Sequence, residues 1–380
     1  IVYCPAAFTG FCDSSLTRYG STQESKALYA QATLDFGVVS PALEGLRLTG
    51  GYRQTWDKIT GFSTNIQANP GVPGTVKCGA TGETNVPVAD QFTRCTFNVA
   101  LKTDAPTWTV GLDYKITPKI LAFAKISRGY KSGGLNALAV YDFKRTFLPE
   151  YVTSYEAGIK SDFRVGSVPF RFNAVGYTVD FKDIQRAGAD FNPGTGAGGS
   201  QIFNANARIR GVEIDSSFQP FDGLELGGNF SYTDADYKKF TFKTATGQND
   251  CKGFAMPGTF TDMSCLPFQY VAPYIWSIHA NATIPVGDEL GDLNFFVNYS
   301  HTSSQYTDTT AMPFEQPGAR LEAFGTLNMS LDWRDVARSG FDLGLFVTNA
   351  TNKLYRISNS NVYQATGGLL YQATLYGEPR

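Results

Sequence analysis

Histidine is nearly missing from this 380-residue chain, which holds only His279 and His301. Most arrangements of nucleophile, base and orienting group, and most His-rich metal sites, are therefore out of reach. The 6 cysteines form no CxxC pair and have no histidine near them in sequence, so the usual metal-ligand spacings are absent too. A surplus of either charge is also lacking. With 32 Lys and Arg against 34 Asp and Glu, the formal net charge is −2, which gives neither a basic footprint for nucleic acid nor an acidic disordered tail. No run reaches about eighteen apolar residues, so a helical membrane span is excluded. The chain opens Ile1-Val2-Tyr3-Cys4, without an initiator methionine, basic region or apolar segment. No signal peptide is recognisable, and the expectation is that the natural start lies upstream.

What is present is β-forming. Aromatic residues make up 14% of the chain and glycines number 39, a mixture suited to strands joined by many turns. The mean hydropathy of −0.18 has the value of a soluble protein. A β-barrel gives the same value, because only alternate residues of each strand face lipid.

Alternation with a period of two recurs along the chain. Leu28, Ala30, Ala32, Leu34 and Phe36 interleave with Gln31, Thr33 and Asp35. The same pattern places Trp108, Val110, Leu112 and Tyr114 on one face, then Tyr155, Ala157 and Ile159, then Leu224, Leu226, Phe230 and Tyr232. It returns in Tyr274, Trp276, Ile278 and Ala280, and in Leu327, Met329, Leu331 and Trp333. About thirteen such segments occur, many of roughly ten residues, the length a tilted strand needs to cross a bilayer. The stretch 170–181 is noisier, with apolar residues on both faces.

Connections alternate in length. Short ones fall at 38–44, 117–119, 164–167, 219–223, 286–291 and 337–340; long ones at 61–106, 131–150, 186–205, 238–272, 302–319 and 356–372. This predicts an antiparallel up-and-down meander with all short turns at one end. All the cysteines fall on the long-loop side. Pairing within each segment predicts Cys4 with Cys12, Cys78 with Cys95 and Cys251 with Cys265, as staples formed in an oxidising compartment. A metal site is the competing reading.

Several runs in order resemble the C-terminal barrel half of TonB-dependent receptors: AFAKISRGYKSGGLN from Ala122, LPEYVTSYEAGIKSDF from Leu148, AVGYTVDFKDIQ from Ala174, ARIRGVEID from Ala207, FVTNATNKLY from Phe346, and the ending Tyr376-Gly377-Glu378-Pro379-Arg380. The fold expected is all-β, an antiparallel transmembrane β-barrel that is incomplete. The family's 22-stranded barrel closes around an N-terminal plug, so residues 1–380 are expected to be a partial barrel domain lacking the plug and roughly nine strands upstream. Left unclosed, its two edges would expose unpaired backbone groups to hydrocarbon, so this segment alone is not expected to make a working pore.

The resemblance implies a non-enzymatic, monomeric barrel in the bacterial outer membrane, in contact with its lipid. Its function would be energy-coupled uptake of a scarce ligand through a TonB-type complex engaged by the missing N-terminal region. Ferric siderophores are the commonest ligands of the family, while cobalamin, haem, nickel chelates and oligosaccharides stay open. A passive substrate-specific porin fits the strand pattern equally well, and a surface-binding barrel such as an adhesin, or a barrel-embedded enzyme, is the rival from another class. No cofactor is implied.

Individual residues carry little chemistry. His279 falls in a lumen-facing series and His301 in the apolar series near an outer rim. Asp234 with Asp236, or Asp180 with Asp183, are candidates for a calcium site or acid/base pair, and equally for solvated rim charges. Gly194–Gly199 lacks the Lys-Ser/Thr and helix of a phosphate loop. Tyr114, Tyr177 and Tyr232 read as interfacial girdle residues. Gly129, Gly133 and Gly134 read as rim glycines, Pro149 and Glu150 as the opening of a strand, and Gly211, between Arg210 and Val212, as a point of close packing.

Overall fold

The structure is a computed structural model that describes residues 15–69, 71–79, 81–139, 141, 144–192, 197–243, 248–256, 260–287, 289–307, 318–361 and 372–379. Its main body is a 14-stranded antiparallel sheet, two strands of which form a short hairpin (Thr75–Cys78 and Val86–Pro87) laid on one wall strand. The wall strands follow one another in chain order. They are β1 (Ser15–Asp35), β2 (Leu46–Ala68), β3 (Thr96–Thr117), β4 (Ile120–Lys131), β5 (Glu150–Val165), β6 (Val168–Asn192), β7 (Ala197–Phe221), β8 (Leu224–Lys239), β9 (Tyr274–Pro285), β10 (Asp292–Thr302), β11 (Phe324–Arg334) and β12 (Leu343–Val347). The last described strands, Arg356–Asn361 and Gln372–Tyr376, form a separate hairpin rather than a further wall strand. Among the described residues β1 pairs with β2 and β12 with β11, so the sheet has two free edges and is not closed.

Directly opposed residues of antiparallel strands project from the same face, so the register turns local alternation into two continuous surfaces. One face carries Leu48, Leu112, Ala124, Ala157, Gly176, Val212, Tyr232 and Tyr274 in a single row across β2 to β9. Its apolar residues are bare: Leu28 is 71% exposed and Ile278 59%. So large an apolar surface belongs in hydrocarbon rather than water. The opposite face carries Arg47 and Asp113, Lys125 and Glu156, and Glu225 and His279, as a lumen requires.

The short ends are tight turns. Asp35 and Ser40 cap two 3-10 turns between β1 and β2, their side chains accepting from the Gly37 and Ala42 amides. Gly166 and Gly223 turn the β5–β6 and β7–β8 hairpins at positive φ, where glycine carries no steric penalty. At the other end the strands run much farther than the sequence suggests. β2 spans 23 residues and β6 and β7 25 each, against the ten or so that cross a bilayer. The expected loops 61–106 and 186–205 are therefore largely strand, extended hairpins that stand beyond the membrane.

Core packing is concentrated in these extensions. One cluster joins Ile184, Phe203, Ala205, Ala207, Tyr237 and Phe240 to Met263, Leu266 and Phe268 of the 240–273 excursion. A second packs Ile66, Val76 and Val86 around the buried Cys78–Cys95 bridge. The membrane-height wall needs no such core, because lipid covers one face.

Candidate lumenal site and its loop cover

The inner face is lined by paired polar groups. Lys125 lies 3.1 Å from Glu156, which also accepts from the Ser154 hydroxyl. Asn229 donates to Ser277, and Asn294 donates to Asn281 and Thr283. Near the outer end a cavity of about 470 Å³ includes Tyr29, Gln31, Arg53, Thr107, Thr109 and Ser127 from this face. That volume is in the range of small-molecule sites. Arg53 is its inward cation, held by donation from Nε to Thr55 Oγ1 at 3.2 Å.

Above this cavity, segment 131–150 folds between distant parts of the wall. On one side the Ser63 hydroxyl donates to the Ala137 carbonyl, Leu135 packs beside Gly61, and Ala139 is buried with Phe97. On the other, Asn136 donates to the carbonyls of Lys144 and Ile202 and accepts from the Ile202 amide, while Asn204 Oδ1 accepts from the Leu148 amide. Gln185 donates to the carbonyls of Ser132 and Leu148. Strands β3 to β5 separate these two anchor points along the sheet, so the segment bridges β2 to β6 and β7. Gly133 permits this path: a Cβ there would approach the Pro149 nitrogen to 3.1 Å.

The Tyr130 hydroxyl, on the loop side of the girdle, donates to Asp57 Oδ2 at 2.6 Å. In the 240–273 excursion, Asp262 accepts from the Ser264 hydroxyl and amide and lies 3.3 Å from Lys252, which together hold its carboxyl below the usual range.

The residues singled out in the sequence are scattered rather than gathered into one centre. His279 faces the lumen, 3.8 Å from Glu225. His301 lies on the lipid face, stacked on Trp276 at 5.3 Å. Asp234 and Asp236 share Arg210, and Asp180 pairs with Arg208. Asp183 sits in a bulge of β6 at φ 58°, its backbone held by Asn204 and Asn206. No cluster of metal-ligating groups occurs among the described residues. Tyr114 and Tyr232 face lipid as expected, but Tyr177 does not. It is in register with Gly211 on the lumen face, and its hydroxyl meets Thr233 at 3.2 Å. The lumen-facing series Val175, Tyr177, Val179 and Phe181 is apolar as well, and Phe181 packs against the loop cluster, so composition could not identify the lipid face of β6.

Cys251–Cys265 closes the excursion that carries the larger core, and Cys78–Cys95 closes the 69–95 excursion, with Cα separations of 5.7 and 4.8 Å. Cys4 and Cys12, and Gly194 to Gly196 of the glycine-rich run, lie outside the described residues. Sequence reasoning missed Asn136, Asn204 and Gln185, the side chains that pin the bridging segment. Polar residues in long loops give no local sign of what they will bond.

Comparison with known proteins agrees with this architecture. A model of the family described as TonB dependent receptor-like, beta-barrel, matches residues 4–365. The metal-pseudopaline receptor CntO of Pseudomonas aeruginosa is 30% identical over 135 residues, 36% of this chain and 17% of that receptor. The ferric yersiniabactin uptake receptor FyuA from Yersinia pestis superposes with a TM-score of 0.64 at 16% identity, covering 96% of this chain and 45% of FyuA. The siderophore receptor PiuA from Acinetobacter baumannii gives 0.60 at 15%, covering 95% and 42%. This chain thus spans less than half the length of these relatives. It belongs to the TonB-dependent receptors of the bacterial outer membrane and forms part of their β-barrel.

Proposed function

We propose that this chain is the C-terminal part of the barrel of an energy-coupled importer, and that further strands and a plug supplied by the rest of its protein complete the wall and fill the lumen. The ligand class favoured is a metal chelate, foremost a ferric siderophore. The observation that carries this reading is the bridging segment 131–150, tied on both sides of a polar, arginine-bearing cavity on the lumen face. Family membership supports it, since the relatives named above are receptors for metal chelates. The two free sheet edges support a larger barrel, because unpaired strand edges are not tolerated in hydrocarbon.

In this reading the extended hairpins and the bridging segment meet the ligand outside, and the plug, drawn by a TonB-type complex, opens the way past the lumenal wall. The wall's own contribution is a rigid, polar and internally paired surface. The test is direct binding. The full-length receptor carrying this chain, in detergent, is titrated calorimetrically with a panel of iron-loaded siderophores, metal-free siderophores and neutral oligosaccharides. Saturable binding of a metal-loaded chelate is expected, weakened in Arg53→Ala. Binding only of an oligosaccharide, or only of a macromolecular surface partner, would overturn the ligand class.

A further inference from the structure

Among the described residues, part of the lipid-facing surface of the wall is neither uniformly apolar nor simply solvated. In register across β4 to β8, Arg128, Thr153, Asp180, Arg208 and Asp236 form a row on this face, two residues beyond the row of Tyr155 and four beyond that of Tyr232. The row stands where the aromatic girdle ends and the outer leaflet's headgroups begin. A cavity of about 290 Å³ opens there, lined by Arg128, Tyr151, Thr153, Asp180, Lys182 and Lys238, together with Phe181, Asn206 and Ala207.

Its charges are unevenly matched. Asp180, the carboxylate in the lining, accepts from Arg208 at 2.6 and 3.2 Å. Arg210 engages Asp234, and Lys238 approaches Asp236 only to 3.7 Å. Arg128 lies over the Tyr151 ring at 5.0 Å, and its Nε is buried without a hydrogen-bond partner among the described residues. Lys182 has no ion pair among them either. Three cations thus converge on a cavity whose own carboxylate is already taken, an arrangement that attracts a compact anion.

Directly below, on the same face, the wall thins. Ala124, Ala157 and Gly176 occupy one register row, and nothing lies within 4 Å of where a Gly176 Cβ would stand. Val110, Ile126 and Tyr155 border this depression, and all three are more than a third exposed. An apolar depression at membrane height therefore lies four residues below a cationic cavity at headgroup height on the same face. Charge and polarity change from one to the other in the order of an anionic lipid.

We propose that this is a binding site for a membrane lipid with a phosphorylated headgroup, its phosphate held by Arg128, Lys182 and Lys238 and one acyl chain lying over Ala124, Ala157 and Gly176. The test uses the full-length receptor in mild detergent, followed by native mass spectrometry during titration with didecanoyl phosphatidate, didecanoyl phosphatidylcholine and inorganic phosphate. Phosphatidate is expected to bind best. The triple variant Arg128→Gln, Lys182→Gln, Lys238→Gln should weaken it by about tenfold or more, the scale of losing charge-assisted contacts, with phosphatidylcholine unchanged. Gly176→Leu should weaken phosphatidate and leave phosphate alone. If the triple variant fails to give a heat-modifiable barrel, Lys238→Gln alone takes its place. Unchanged phosphatidate binding in the charge variants would overturn the proposal. So would phosphate competing as well as phosphatidate, since that would mark a simple anion site with no lipid component.

Discussion

The Tyr177 ring lies across the neighbouring strand at Gly211, where a Cβ would come within 2.6 Å of its hydroxyl oxygen, and that hydroxyl reaches on to Thr233. The pair fastens β6, β7 and β8 together from the lumen side. Gly211→Val should displace the ring and crowd the Tyr232 carbonyl, at a cost of about 1–3 kcal/mol for overpacking a close contact. The measurement is the denaturant midpoint of the refolded full-length receptor. Tyr177→Phe keeps the packing and loses one hydrogen bond, so its midpoint should shift much less.

Asn136 is 4% exposed and makes three hydrogen bonds that hold segment 131–150 to β7 and to itself. Asn136→Ala leaves the Ile202 amide without its partner, a loss of about 1–3 kcal/mol for a buried unsatisfied group. The barrel should still form, but the segment should be cut faster by protease added outside intact cells. Equal cleavage rates in wild type and variant would show that the segment is held by other contacts.

Cys251–Cys265 closes a loop with a sequence separation of 14. A loop of that size is stabilised by about 3 kcal/mol in the chain-entropy account. In Cys251→Ser, Cys265→Ser the Met263, Leu266 and Phe268 contacts should loosen, so that the 240–273 excursion exchanges its amide hydrogens faster while the strands of the membrane-height wall do not change. Protection unchanged throughout would mean that the apolar cluster suffices without the bridge.

How far these relationships could be read in advance depended on burial. Strands facing lipid on one side and lumen on the other, such as Trp108 to Tyr114 and Tyr274 to Ala280, keep strict alternation and were legible as strands with the correct faces. The upper part of β2 was not. Thr64 and Ile66 are covered on one face, and Ser63 and Asn65 on the other, so the pattern disappears where the excursions fold over both sides. Tyr177 was assigned to the wrong face because the lumen-facing series of β6 is apolar too. The cavity near Arg53 and the bridge built by Asn136 depend on contacts between residues far apart in sequence, and no local period reports those.

Glu322 and Arg356 give the account a pH dependence outside the membrane-height wall. The Arg356 guanidinium donates to both carboxylate oxygens of Glu322 and to the carbonyl of Arg320, and it holds the Glu322 carboxyl below the usual range. Because the folded pKa is the lower one, the contribution is fully present above the unfolded pKa and disappears as pH falls through the folded value. Acidification below about pH 4 should therefore release the Arg356–Asn361 hairpin from the 318–322 segment. Glu322→Gln should show at neutral pH the release that wild type shows only in acid, read by hydrogen exchange at the Arg356–Asn361 amides. The effect is expected to be small, since Glu322 is largely exposed.

The most direct test of the importer reading is uptake of a radiolabelled ferric siderophore, chosen from the binding panel, by cells with the receptor, without it, and with the receptor but no functional TonB-type complex. The account predicts accumulation only in the first, with surface binding but no entry in the third. Entry that persists without the coupling complex and rises linearly with ligand concentration would contradict it and make the barrel a passive porin.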